Sequence, residues 1–471
     1  MSVDVYLGLR AAAGRHAVRR ALHRHVRLVH PPFVVVGYHL PGDPGEPIGL
    51  RFGTRPDRWH TVVVGEPRDA RLRFQSLVDF ALDLNAYLAR FMTRTPTPSR
   101  QGKGKHLCPR APQLVVPNEA TAQWLCDLMG RRLRYLPVEG DRAVHPGIPI
   151  AGAHLSFFAG ERVPGSSLVL AATDVLAEHW QTGQLGALDA NLAAQLAWIR
   201  RPDTLDAAEQ EPPAGPIPDP QWEHRQFTDA IKAYHRLSEV AARREDAVEP
   251  MRRAVDDVLA PAWDATWEAL NLLGELPEAG HVPRRWDNDL RQWTRHAERI
   301  QAGQAHFRRR PRQLQVFRQL HRLERLTSDL NRQMALDDPL VMARHVAAGD
   351  ALSGTVAAVT IITRHAGRPG ARRVTRPRVR ITPDLPFTRP IGTELWWAAD
   401  TAIRAEVSDV EADGTVELEI VRGAIRPGDQ RRLPTVGAKV VFAPFGPPEY
   451  RPDTIPDVLP WTHIDPNEGP P

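Results

Sequence analysis

The chain has almost no cysteine and almost no lysine. Cys108 and Cys126 are the whole cysteine content of 471 residues, too few for a disulfide framework, and neither stands in a CxxC or Cys/His spacing that a zinc site uses. Lysine occurs only at 103, 105, 232 and 439, so the pI near 9.5 is carried by arginine. An excess of arginine, alanine and proline is also what a GC-rich genome imposes, so the global charge of +5 is a weak pointer to a polyanion. No run of 18 apolar residues occurs, and the N-terminus lacks a short apolar stretch with a cleavage site, which predicts a cytoplasmic protein with no membrane partner. Catalytic signatures are missing too. Gly102-Lys103-Gly104-Lys105-His106 lacks the Ser or Thr and the preceding strand of a phosphate-binding loop, and HExxH, GxSxG and GxGxxG are absent. No cofactor and no metal is expected.

The charge that is present is segregated. Residues 281–335 and 353–380 are strongly basic, whereas 147–280 and 381–471 are acidic. Hydrophobic periodicity predicts a multidomain α+β chain. An α+β domain is expected over 1–200: an amphipathic basic helix over 5–29, three strands at 33–38, 48–52 and 59–64, a helix over 71–92, a loop over 93–112, and further helices with strands at 114–116 and 133–137. Six prolines between 202 and 220 predict a linker over 201–220. Val316, Leu320, Leu323, Thr327, Leu330 and Met334 step by 4, 3, 4, 3 and 4, the spacing of packed long helices, so a helical bundle or stalk is expected over 221–350. About six short strands over 351–446, including a hairpin turning at Asp413-Gly414, predict a small β-barrel of SH3 or OB type. The proline-rich acidic tail 447–471 is expected to be disordered.

Most candidate chemistry has an ordinary reading. Asp287 and Asp289 are two apart and face different sides of a helix, so helix capping is favoured over a shared cation. The histidines near 23–30 and 281–321 lack metal-ligand spacing. Trp263 and Trp267 are expected in a helical core. Trp396 and Trp397 are adjacent on a strand and point to opposite faces; Trp397 is the candidate platform for stacking a base.

Two arginine clusters stand out. Arg308, Arg309, Arg310 and Arg312 enter the heptad, and Arg364, Arg372, Arg373, Arg376, Arg378 and Arg380 belong to a 17-residue stretch with seven arginines and no acid. A guanidinium fork matches phosphate geometry. The expected partner is therefore the backbone of DNA or RNA. In the tail, Leu459 and Trp461 are apolar anchors among polar residues, read either as a docking motif for a protein partner or as a segment folding back on the barrel. A helical stalk carrying a barrel that ends in Gly437-Ala438-Lys439-Val440-Val441-Phe442 resembles, over 220–446, the accessory stalk-and-barrel insertion of superfamily 1 helicases. The motor's ATP-binding loop is missing, so the resemblance implies no ATPase. Three functions remain: a non-catalytic nucleic-acid-associated adaptor, a protein scaffold in which the arginines make protein contacts, and an enzyme of unfamiliar type in the α+β domain.

Overall fold

The computed structural model describes residues 3–69, 72–96, 106–184, 190–211, 213–238, 247–304, 313–365, 373–425 and 427–446, without the side chains at 220, 223–224, 238, 313–315, 363–365, 373–374 and 427–428. Two compact units divide the chain: Tyr6–Arg308, and Met1–Val5 together with Arg309–Pro471. Among the described residues no helix is long and apolar enough to cross a membrane.

The expected helix over 5–29 is only Val3–Gly14, α1. Arg15 takes a positive φ of 45°, and His16 N–H donates to Ala11 O at 3.2 Å. This is the left-handed ending that stops a helix whatever periodicity follows.

Unit Tyr6–Arg308 is built on a mixed five-stranded sheet of β1 (Phe33–Leu40), β2 (Asp43–Arg55), β3 (Arg58–Val63), β4 (Leu114–Val116) and β5 (Val169–Ala171), in the order β3-β2-β1-β4-β5. β1 to β3 form the expected antiparallel meander, while β1, β4 and β5 run parallel. Both faces are covered, which is why β1 reads as a continuous apolar run. Phe33 and Val35 join the core with α2 (Val78–Ala89), a helix α3 over 119–133 whose middle is π-wound, and α4 (Gly147–Gly160). Val34 and Val36 join the opposite core with α5 (Ala172–His179) and α6 (Leu192–Arg200). The strand expected at 133–137 is the end of α3 and the turn after it.

The helices expected as a bundle are distributed. α7 (Thr228–Ser238) and α8 (Glu249–Gly274) cover one face of the sheet, with Met251, Val255, Leu259 and Trp263 in its core. α9 (Val282–Gln301) covers the other, with Trp293 and Ala297 buried. A Cβ on Gly49 of β2 would stand 2.6 Å from Val255 Cγ1, so glycine there is what admits α8. The proline-rich stretch expected as a linker is packed: Ala214 is buried in the same core as α8. Periodicity locates a buried stripe and does not say whether it meets a helix or a sheet.

In the second unit, α10 (Gln313–Asp337) turns into α11 (Pro339–Ala347) at Asp338, whose carboxylate accepts from the Leu340 and Val341 amides. A closed six-stranded barrel follows: β6 (Leu352–His365), β7 (Arg373–Pro383), β8 (Glu394–Trp397), β9 (Arg404–Val410), β10 (Val416–Arg422) and β11 (Lys439–Ala443), in the order β6-β7-β10-β9-β8-β11. The predicted hairpin at Asp413-Gly414 is β9–β10, with Val407 opposite Leu418 inside. The mixed α/β character and the barrel agree with the sequence reading.

Candidate nucleic-acid interface

β6 and β7 are the longest strands of the barrel, and their pairing outruns it. β10 pairs with β7 from Arg378 to Ile381, and β11 pairs with β6 from Leu352 to Thr355. Beyond these, among the described residues, no third strand pairs with the rungs Ile361↔Pro377, Ile362↔Arg376, Thr363↔Thr375, Arg364↔Val374 and His365↔Arg373. The result is a two-stranded ribbon leading to the basic sequence 366–372.

This geometry divides the candidate arginines. Arg378 Nη1 donates to Glu417 Oε1 at 2.7 Å, Arg380 Nη2 donates to Glu411 Oε2 at 2.6 Å, and Arg376 faces Glu419 at 3.7 Å. Glu417 and Glu419 are outward positions of β10, in cross-strand register with Arg380 and Arg378, so acid and base interleave over one barrel face. These three arginines are already neutralised. Arg364 and Arg373 sit in the ribbon past the end of β10. Arg308, Arg309, Arg310, Arg312, Arg372, Leu459 and Trp461 lie outside the described residues.

Trp397 needs a correction. It shares the inward parity of Leu395, which is fully buried. Its ring stacks on Phe442 with centroids 6.5 Å apart, against the barrel core. Trp396 is the outward residue of the pair, and Gly446 lies over it: a Cβ there would stand 2.3 Å from Trp396 Nε1. The adjacency in sequence could not say which parity faced in.

In the α/β unit, the crevice outside the carboxyl ends of the parallel strands, where open sheets usually hold ligands, is filled by the chain itself. His39 N–H donates to Pro216 O at 2.8 Å and Asn118 Nδ2 donates to Gly215 O at 2.9 Å. A Cβ on Gly215 would meet Gly37 O at 3.0 Å and Thr121 Oγ1 at 3.1 Å. Among the described residues no group of three His, Cys, Asp or Glu side chains is arranged to hold a metal.

A cavity of about 660 Å³ beside β3 is lined by Trp59, His60, Asp79, Asp83 and Asp256. His60 Nδ1 lies 2.5 Å from Asp83 Oδ2, the orientation a general base needs. The hydroxyl beside it, on Thr61, donates instead to Asp256 Oδ1 at 2.5 Å. Asp256 also accepts from Trp59 Nε1 and from Arg51, whose side chain is only 3% exposed. It anchors α8 to the sheet. A second groove, of about 720 Å³, runs between α9 and the short pairing of Thr95–Pro96 with His106–Leu107. Arg94 there binds Glu298 at 2.9 Å, whereas Arg291 and Arg295 are exposed with no ion-pair partner among the described residues. Their i,i+4 spacing was legible; their exposure side by side was not.

Two sets of buried polar groups find partners inside the core. His154 Nδ1 and His296 Nε2 are 2.9 Å apart in the core between α4 and α9, flanked by Phe157 and Trp293. Burial holds both imidazoles well below their ordinary range, and His154 lowers His296 further. Asp289, read from sequence as a cap, is a mid-helix residue that accepts the Ser167 amide at 2.7 Å, and burial raises its carboxyl to about 7.

Comparisons of this chain with family models, with curated proteins and with solved structures return no match.

Proposed function

We propose that this is a cytoplasmic, non-catalytic nucleic-acid-associated accessory protein whose phosphate contacts come from the β6–β7 ribbon. The observation that supports the reading is the ribbon's extension past β10 and β11. Arg376, Arg378 and Arg380 meet glutamates on the barrel wall, whereas Arg364 and Arg373 belong to rungs to which, among the described residues, no third strand pairs. Two-stranded ribbons fit the grooves of duplex DNA, and guanidinium groups pair with phosphate. The barrel is read as a small barrel of the SH3 or OB kind, although an OB barrel is five-stranded and partly open and this one has six strands and is closed. Its place in the proposal is as a rigid base for the ribbon.

The test is a salt titration of single-stranded and duplex DNA and RNA binding by the full chain. Arg364→Ala/Arg372→Ala/Arg373→Ala is expected to lower affinity at least tenfold near 0.1 M salt. The slope of log K against log salt should flatten by about 2 to 3 units, one per lost phosphate contact. Arg291→Ala/Arg295→Ala, which removes charge from α9, controls for a general loss of basicity. Equal losses in both variants, or salt-independent binding, refute the ribbon as the contact.

A further inference from the structure

We infer that the chain's own tail, through Leu459 and Trp461, docks in the groove between α10 and α11. The groove has a volume of about 590 Å³ and is lined by Leu320, Leu323, Thr327, Asn331, His345 and Phe445, among others. Val316 and Leu320 belong to the 4-3-4-3 apolar repeat of α10, yet they are 41% and 48% exposed. Further along the same stripe Leu330 and Met334 are half-buried, and Ala335 beside them is buried. The apolar stripe is thus partly covered at its C-terminal end and exposed at Val316 and Leu320.

The occupant follows from where the chain goes. Phe445 forms one wall of the groove, its ring 5.0 Å from the His345 ring in an edge-to-face contact. Twenty-five residues, 447–471, follow the last described residue, Gly446. Leu459 is 14 residues beyond Phe445, a tether of up to about 46 Å when extended, and the groove begins at the tether's own root. Tethering at that length gives the second site a high effective concentration, so a weak apolar contact suffices. Leu459-Pro460-Trp461 supplies one branched and one large flat anchor, with the intervening proline holding the chain extended. A second copy of α10 is the competing occupant. It needs a continuous seam from Val316 to Met334, and Phe445 and His345 line the same groove as Leu320, Leu323 and Thr327 of that seam. A groove whose wall already includes Phe445 and His345 suits a side-chain anchor better than a second helix.

The probe is a fluorescent peptide of residues 447–471, added to the full chain and to the chain truncated after Gly446. The peptide is expected to bind the truncated chain and to bind the full chain at least about tenfold more weakly, because the tethered copy competes. Leu459→Ala/Trp461→Ala in the peptide, and Leu323→Asp in the truncated chain, should each weaken binding about tenfold or more. The peptide variant keeps the test decisive even if Leu323→Asp unfolds α10. Equal binding to both chains, no binding to either, or a concentration-dependent dimer of the full chain that Leu323→Asp dissolves would each overturn the inference.

Discussion

Acidification should weaken the α/β unit through one pair of histidines. His154 and His296 are both buried, and one ring donates its N–H to the other across 2.9 Å. Burial holds both well below the unfolded value near 6.5. The folded chain therefore keeps two neutral imidazoles where the unfolded chain takes up two protons. Stability from this source is complete above pH 6.5 and is lost as pH falls below it. Between pH 5.5 and 4.5 the loss comes to about 2.6 kcal/mol for the pair, since each unit of pH costs about 1.36 kcal/mol per histidine. Asp289 works in the opposite direction: its carboxyl, raised to about 7, stays protonated in the fold and gains relative stability as pH drops. A difference measurement removes that opposing contribution. Urea unfolding of the natural chain and of His154→Leu/His296→Phe is compared at pH 7, 5.5 and 4.5. The variant replaces a satisfied polar pair with apolar groups of similar size, so at pH 7 the two proteins should differ little. At pH 4.5 the variant should be favoured by about 2.6 kcal/mol more than at pH 5.5. A difference that stays constant over that interval would show that the imidazoles protonate inside the fold, and the reasoning from burial fails.

Three further outcomes are expected. Asp256→Ala leaves the buried Arg51 guanidinium without its carboxylate and should cost about 3 to 5 kcal/mol in urea unfolding, whereas removing Asp57, the exposed partner of Arg55, should leave the unfolding curve nearly unchanged because solvent screens that pair. Gly354→Val should destabilise the barrel by more than about 2 kcal/mol, read as a drop in its melting temperature, because a Cβ there would meet Thr382 O at 2.3 Å where β6 crosses from β7 to β11. Deleting 447–471 removes a net charge of −4 and should raise affinity for single-stranded DNA a few-fold at low salt, with the gain vanishing at high salt; an unchanged affinity would show that the tail does not compete for the arginines.

Strand positions were legible where alternation is local and turn chemistry is explicit. The β9–β10 hairpin has Ala405 and Val407 opposite Ile420 and Leu418, with Asp413 accepting the Thr415 amide at the turn. Its residues carry both period and stop signal. What was not legible is partnership at a distance. Trp263 reads as part of a helical core, and it is buried, but with Val255 and Leu259 it belongs to a seam that meets the glycine-bearing face of β2 some 200 residues earlier. The prolines of 202–220 read as a break in structure, yet a buried carbonyl at Gly215 accepts from Asn118, and nothing local announces that contact. The arginine stretch was visible as charge. That Arg376, Arg378 and Arg380 meet glutamates depends on which residues of β10 lie beside β7, which is a property of register across the barrel.

That division also bears on the scaffold reading. If the arginines served only protein contacts, the glutamates of β10 would still neutralise Arg376, Arg378 and Arg380, because those pairs form within one barrel. Within the sequence of β6, β7 and the segment joining them, the two readings differ at Arg364, Arg372 and Arg373. Phosphate contacts release condensed counterions and so depend steeply on salt, whereas a protein partner packed on Ile361 and its neighbours would be held mainly by apolar area and would tolerate salt. Ile361 is 52% exposed on the ribbon, which makes Ile361→Ser the discriminating change. Under the nucleic-acid reading it leaves the affinity for duplex DNA within about twofold, since no phosphate contact is removed. A loss as large as that of the triple arginine variant would mean that apolar packing, and not charge, is what the ribbon offers.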